Sequence, residues 1–595
     1  MIRYIKLWIE LLGVSWRRFP GQTGAMFLVK LLAAGAVSAT AVALKHATDS
    51  ALQGDAQGAL VAAAIAALTY GLVGYLEGVD TYLHFLLVEK VALIDLQMEI
   101  DRSIATMEGL DHLERTDYLD RVTVVRNAPW GIMFGLWVAV DTVFNILQLV
   151  IMLAVLGSVS PWLMLLLLFA GVPLWFERRG LTLVNDAETE TAELFRVQRH
   201  LFDLATDAAT SKEVRVAGAG EECTRIQSRA WDEMVEGRYR ARVRSAFWQV
   251  TGWIIFTAGF TGGIGLVVYQ AANGTGTIGD IILTITVAVN LRAAVQNTVA
   301  RTAETAGAGM LIDPFLWLRD YTAADRARAK GVLPPPETLR EGLRLDHVSY
   351  TYPGTTSPAL DDVTVSFPAG SVVAIVGEYG SGKTTLVKLL SKFYLPDQGQ
   401  ISVDGTPLVD INTEAWRARS SAAFQDFGRF QTVFAETVGL GDLDRIEDRE
   451  RISWALAFAD AQSLVDRLPD GLDTQLGRSL GGVDLSEGQW QKTALARSAM
   501  REAPLLFILD EPTASLDAPS ENAIFRRYMQ RARDLAARTG AVTVVVSHRF
   551  STVAGADLIL VLDQGRVIES GTHEELLDAG GRYAEVYNMQ AAASM

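Results

Sequence analysis

Gly377-Glu378-Tyr379-Gly380-Ser381-Gly382-Lys383-Thr384 is the stretch on which the reading of this chain turns. Its eight residues fit the pattern G-x-x-x-x-G-K-[ST]. Ser371–Val376 just before it is a β-type run, and the residues from Thr385 to Lys392 just after it are helical in pattern. Phosphate binding needs that order of strand, glycine-rich turn and helix. The glycines let successive backbone N–H groups converge on phosphate oxygens. The new helix points its positive end at the same anion. Lys383 sets a point charge on the β- and γ-phosphates, and Thr384 offers a hydroxyl to Mg²⁺. A chance match on a glycine-rich turn would require neither flank.

Two further strands end in chemically apt residues. Leu505–Leu509 runs into Asp510-Glu511. An apolar strand that delivers two carboxylates is costly unless a cation or a water network meets them. Asp510 suits Mg²⁺, directly or through water, and Glu511 suits orientation or deprotonation of an attacking water. Ala541–Val546 runs into Ser547-His548-Arg549, where His548 is placed to bond the γ-phosphate and the water. Open α/β sheets put their ligands at the carboxyl ends of strands, where all three groups fall.

The rest of the chain is of another kind. It has 595 residues, 50% hydrophobic and 21% charged, with mean hydropathy +0.20. That is too apolar for an all-soluble protein of this charge and too polar for one wholly in lipid, so a split into two parts is expected. Disorder is excluded by the apolar content. A disulfide scaffold is excluded by the single cysteine, Cys223. The net charge of −16 opposes a nucleic-acid partner.

The apolar runs all lie before residue 310: Gly24–Leu44, Ala59–Val88, Trp130–Leu156, Pro161–Trp175, Phe247–Tyr269 and Ile278–Val295. A bilayer core takes roughly 20 mostly apolar residues per helix, so six spanning helices are expected, the fourth extended by its flanks. Met1–Gln22 mixes Arg3, Lys6, Arg17 and Arg18 with Trp8, Ile9, Leu11 and Trp16. It reads as an amphipathic helix at the inner membrane surface and not as a cleaved signal. His46–Gly58 has no Lys or Arg and Ala271–Thr277 has no charge, whereas the segments between runs two and three and between runs four and five are rich in Arg. Excess Lys and Arg marks the cytoplasmic side. Both termini and the long inner segments are therefore expected there, each segment with a break, at Gly109–Asp120 and Ala208–Gly220. The expected organisation is a membrane domain over 1–324, a charged, Pro334-Pro335-Pro336-bearing linker over 325–341, and an α/β domain over 342–595.

Leu485-Ser486-Glu487-Gly488-Gln489, followed at the family spacing by Asp510-Glu511, is similar to the signature of ATP-binding cassette proteins. With six spanning helices ahead of it, the whole chain resembles an ABC exporter half-transporter. The fold so implied is an all-α six-helix membrane domain followed by an α/β P-loop cassette. The resemblance implies ATP and Mg²⁺ as ligands and gives roles to further residues. Tyr352 matches the aromatic that stacks on adenine, and Gln425 the glutamine that contacts Mg²⁺ and signals to the membrane domain. Ser515-Leu516-Asp517 matches a loop crossing the dimer interface. Ser486, Gly488 and Gln489 match the signature that closes on the γ-phosphate held by a partner subunit. The loop residues Gly377, Glu378, Tyr379, Gly380, Ser381, Gly382, Lys383, Thr384 and Thr385 match the phosphate cradle, with Thr384, Gln425 and Asp510 around the metal. The breaks near Gly109–Asp120 and Ala208–Gly220 correspond to coupling helices. Glu487 departs from the pattern, since the family usually has Gly there, and a carboxylate near a triphosphate repels unless it points outward.

The resemblance implies a second half-transporter as partner, identical or not, a multi-pass place in a bacterial inner membrane, and an exported cargo: peptide, natural product, lipid or drug-like molecule. Phe424-Gln425-Asp426-Phe427 and Gln489-Trp490-Gln491-Lys492 look like cassettes of lanthipeptide exporters, here with no peptidase domain ahead of the helices. Lys30, Glu77, Asp80, His84, Asp141, Asn145, Asn290, Arg292, Gln296 and Asn297 are polar residues in or near the spans, where such groups face a cavity or a partner helix. Two other classes compete with an exporter: an importer, and an ATP-binding membrane regulator or channel with little hydrolysis. Glu511 and His548 favour hydrolysis.

Overall fold

The computed structural model describes residues 2–207, 210–328, 331–512, 518–547 and 553–593. They form two compact units, one of residues 1–101 and 124–316, the other of 102–123 and 317–595.

The first unit is helical. It holds α1 (Ile2–Arg18), α2 (Pro20–Leu52), α3 (Ala56–Val91), most of α4 (Gln97–Ala105), the end of α5 (Thr116–Arg126), α6 (Ala128–Val159), α7 (Leu166–Glu190), α8 (Ala192–Thr206), α9 (Ser211–Val216), α10 (Gly220–Ala272) and most of α11 (Ile278–Arg328). Among the described residues, six helical segments are long and apolar enough to cross a membrane: Pro20–Leu52, Ala56–Ala105, Ala128–Val159, Pro161–Glu190, Gly220–Ala272 and Ile278–Arg326. The short fourth apolar run begins in a 3₁₀ turn over Pro161–Leu165 and is lengthened at its carboxyl end, by residues out to Glu190. The second span is continuous with α4 through a π-helical stretch, Ala92–Leu96. The connection between α2 and α3 is short because Asp55 caps α3, accepting from the Gly58 N–H at 3.0 Å.

One set of contacts in this unit is ionic. Lys30 of α2 is buried with its Nζ 2.7 Å from Asp80 of α3 and paired with Asp141 of α6. Arg301 of α11 lies 3.7 Å from Asp141. Four helices are thus tied at one level, with charges of both signs among apolar side chains, where an unpaired charge would be expensive.

The second unit is α/β. A four-stranded antiparallel sheet has the order β2 (Leu360–Pro368), β1 (Gly342–Tyr350), β4 (Gln398–Val403), β5 (Thr406–Pro407). A six-stranded sheet has the order β10 (Arg566–Gly571), β9 (Leu558–Asp563), β3 (Val372–Gly377), β8 (Val542–Val546), β7 (Leu506–Asp510), β6 (Ser420–Ala423), with only β10 antiparallel. β3, β7 and β8 are buried throughout, or to the last residue in β3, as parallel strands covered on both faces must be. Successive residues alternate between two cores: Leu506 and Ile508 join one, Phe507 and Leu509 the other. α11 runs to Arg328, past Asp325, where the sequence places the start of the linker.

Candidate functional site

Register puts the expected groups at one edge of the six-stranded sheet. Ile375 pairs with Val546 and Asp510 pairs with Val546, so β3, β7 and β8 end together. β3 leads into the phosphate loop, and α12 (Lys383–Leu390) leaves it. Gly382 caps that helix at φ +103°, and a Cβ there would lie 2.6 Å from the Ala359 carbonyl oxygen, so glycine is required. Lys383 folds its ammonium back over the loop, donating to the carbonyls of Gly377 at 2.9 Å and Glu378 at 2.8 Å. Burial holds its pKa below the ordinary lysine value, against the opposing pull of Glu511 and Asp510. Ser381 Oγ is buried with no hydrogen-bond partner among the described residues. Gly380 and Tyr379 lie at the exposed tip, and Glu378 is paired with Arg582 at 2.5 Å. Thr384 is half-buried, next to buried Thr385.

Asp510 is 1% exposed, and its Oδ2 has no hydrogen-bond partner among the described residues. Burial, with Glu511 and Asp426 adding repulsion, pushes its pKa up to about 6. A buried carboxylate with a spare oxygen and an excess of negative neighbours is the donor chemistry that a hard divalent cation satisfies, so the residues present fit Mg²⁺. Glu511 follows with φ +46°, in the left-handed region that only glycine enters freely. A side chain held there marks a site where backbone strain is tolerated. Its N–H donates to the Val546 carbonyl at 3.0 Å, fixing it at the sheet edge, and its Oε2 accepts from Gln425 Nε2 at 3.0 Å. Tyr352 is half-buried, with its hydroxyl 3.1 Å from Thr385 Oγ1 and its ring edge-on to Tyr350 and Tyr394.

Lys383, Asp510, Glu511, Gln425, Thr385 and Tyr352 therefore belong to one neighbourhood. The signature stands apart from it. Ser486 caps α17 (Glu487–Ala499) in a capping box: its N–H donates to Gln489 Oε1 at 2.8 Å, and its Oγ accepts from the Gln489 N–H. Among the described residues, neither Ser486 nor Gln489 bonds the phosphate loop. His548 and Ser515-Leu516-Asp517 lie outside the described residues.

The first break also sits in this unit. Leu110 N–H donates to the Phe393 carbonyl at 3.1 Å, Tyr350 OH to Asp111 at 3.1 Å and Tyr394 OH to Glu114 at 2.9 Å. Burial and these carboxylates raise both tyrosines above their ordinary pKa, so they stay protonated donors. Neither this contact nor the roles of Arg582 and Asp426 was legible in the sequence. Each joins residues tens to hundreds of positions apart.

The family profile described as ABC transporter matches residues 360–514. ATP-dependent lipid A-core flippases are among the curated relatives. That of Pseudomonas fluorescens is 43% identical over 247 residues, covering 42% of this chain and 39% of the relative. That of Bordetella avium is 42% identical over 254 residues, covering 43% and 41%, and that of Aromatoleum aromaticum 36% identical over 326 residues, covering 53% and 51%. The chain thus spans about two fifths to half of the length of these relatives. Among solved structures, a bacterial Atm1-family ABC exporter with ATP bound superposes with TM-score 0.75 at 26% identity, over 97% of this chain and 98% of that one. Fold and site define the class: a membrane-helix domain fused to one ATP-binding cassette, the architecture of an ABC exporter half-transporter. Its membrane-helix domain makes it a multi-pass membrane protein, and its residues 360–514 match the ABC transporter family.

Proposed function

We propose that the protein is an ATP-driven exporter in which two such chains pair and hydrolyse ATP between their cassettes. The observation that carries this reading is the convergence of Lys383, Asp510 and Glu511 at one sheet edge, with the signature held at a separate helix end. One cassette then offers half of each of two sites. The phosphate loop of one chain, residues 377–385, holds the triphosphate. Ser486, Gly488 and Gln489 of the other close on its γ-phosphate, because a helix N-terminus stabilises an anion.

Within this reading Lys383 binds the β- and γ-phosphates and Glu511, held by Gln425, orients the attacking water, with His548 as its companion. Thr384, Gln425 and Asp510 would hold Mg²⁺, which supplies charge neutralisation on the phosphates. Tyr352 packs on the adenine. Because nucleotide favours the closed pair and loss of the γ-phosphate weakens it, binding and hydrolysis drive a two-state change. The Asp111–Tyr350 and Glu114–Tyr394 bonds support a role for the segment at Gly109–Asp120 in passing that change on, with Ala208–Gly220 acting in the same way on the partner.

In this reading the membrane domain spans 1–324, the linker 325–341 and the cassette 342–595. The arginine-rich inner segments support a cytoplasmic cassette and cytoplasmic termini, in a bacterial inner membrane. For cargo, the flippase names of the relatives support a lipid among the classes considered. Magnesium-dependent ATPase activity of the full chain in lipid vesicles, stimulated by a lipid, peptide or drug-like candidate, tests the reading. A chain inert toward MgATP in every lipid contradicts it.

A further inference from the structure

Glu487 is the first residue of α17, directly after the Ser486 cap. The free N–H groups and partial positive charge of that helix end are what a phosphate would meet. A carboxylate on the first turn opposes the phosphate with a full negative charge. The side chain does not stand alone: Arg429 Nη2 is paired with Glu487 Oε2, both side chains about half exposed.

The loop that carries Arg429 is fixed on both sides. Arg497, from α17 itself, donates to the Gly428 carbonyl at 3.0 Å and lays its guanidinium 4.5 Å from the Phe430 ring centre. Thr437 Oγ1 donates to the Phe430 carbonyl at 3.0 Å. Arg429 is therefore presented to the signature by an anchored loop. An exposed ion pair contributes little to stability, so its placement at this helix end is better explained by what the helix end binds.

We propose that Arg429 is a positioning residue for the signature half-site: by neutralising Glu487 it leaves the α17 N-terminus able to accept the triphosphate held by a partner cassette. The proposal rests on the two-chain reading above.

The test compares wild type, Arg429→Ala, Arg429→Lys and the double variant Arg429→Ala/Glu487→Gly as full chains in lipid vesicles. Mg-dependent ATPase rates are read against ATP concentration, and binding of a fluorescent ATP analogue is read separately. Arg429→Ala is expected to raise the half-saturating ATP concentration about fivefold, the equivalent of about 1 kcal/mol of exposed charge. Arg429→Lys recovers most of that loss, and so does the double variant, while analogue binding to the phosphate loop is unchanged in all. A double variant as impaired as Arg429→Ala overturns the proposal, as does an Arg429→Ala chain with wild-type ATP dependence. The wild-type rate reports by itself on the export reading, and the comparison among variants on the Arg429–Glu487 pairing.

Discussion

The side-chain amide of Gln425 donates to Oε2 of Glu511 at 3.0 Å, joining the loop after β6 to the carboxylate just past the end of β7. Glu511 is held in a left-handed backbone conformation at φ +46° by its own N–H bond to Val546. Two restraints, one on the backbone and one on the side chain, aim a single carboxylate. If that carboxylate orients water, Glu511→Gln keeps nucleotide binding and lowers ATP turnover by about 10²–10⁴-fold. Single-turnover hydrolysis alongside an equilibrium binding measurement checks it. A variant that hydrolyses at the wild-type rate removes Glu511 from that role.

Lys383 spends two of its donors on carbonyls of its own loop, at 2.9 and 2.8 Å, and keeps a third. The ammonium both shapes the cradle and supplies its charge. Lys383→Ala loses a charge-assisted bond of about 1.5–3 kcal/mol. ATP affinity is expected to fall by about tenfold or more, as read by direct titration. An unchanged dissociation constant takes Lys383 out of the site.

Asp510 gives a pH dependence with a definite sign. Its ordinary pKa is 3.8 and burial pushes it up to about 6 in the folded chain. Between those values the folded state binds more protons than the unfolded state, so stability from this group falls as pH rises through the window and the full cost stands above it. Asp510→Asn removes a cost of up to about 3 kcal/mol at neutral pH. The nucleotide-free variant should melt above wild type at pH 7.5, by a margin that shrinks towards pH 4, and should lose Mg²⁺-dependent stabilisation. A variant that melts with wild type at both ends of that range would show that Asp510 is not a strained carboxylate.

Among the membrane helices, Lys30 is held between Asp80 and Asp141. Lys30→Met strands two carboxylates with the remaining Arg301, which is 3.7 Å from Asp141. Breaking a buried pair on one side costs about 3–5 kcal/mol, whereas replacing both partners is close to neutral. Thermal melts in detergent should place Lys30→Met well below wild type and Lys30→Met/Asp141→Leu between the two. Equal midpoints for Lys30→Met and wild type would contradict the pairing.

What could be read ahead of the structure was what chemistry enforces locally. The phosphate loop has to be glycine-rich at Gly382, Asp510 has to end an apolar strand, and a spanning helix has to be apolar for some twenty residues. Each of these leaves a pattern within one window of sequence. The pairings that give the site its electrostatics leave none. Arg429 is an ordinary loop arginine until it meets Glu487, 58 positions on, and Tyr394 meets Glu114 across 280. The sequence warned that Glu487 would be repulsive but carried no sign of its counter-ion.

The central claim is that the phosphate loop of one chain and the signature of a second close on the same nucleotide. Cysteines at Ser381 and Ser486, in a chain with Cys223→Ser and Glu511→Gln, test it in lipid vesicles by interchain cross-linking. Under an added thiol oxidant, a disulfide-linked dimer is expected with MgATP and not with nucleotide withheld; with Glu511 restored, its yield is expected to fall when the oxidant is added only after the ATP has been consumed. Cross-linking that ignores nucleotide, or none at all with MgATP bound, would contradict it.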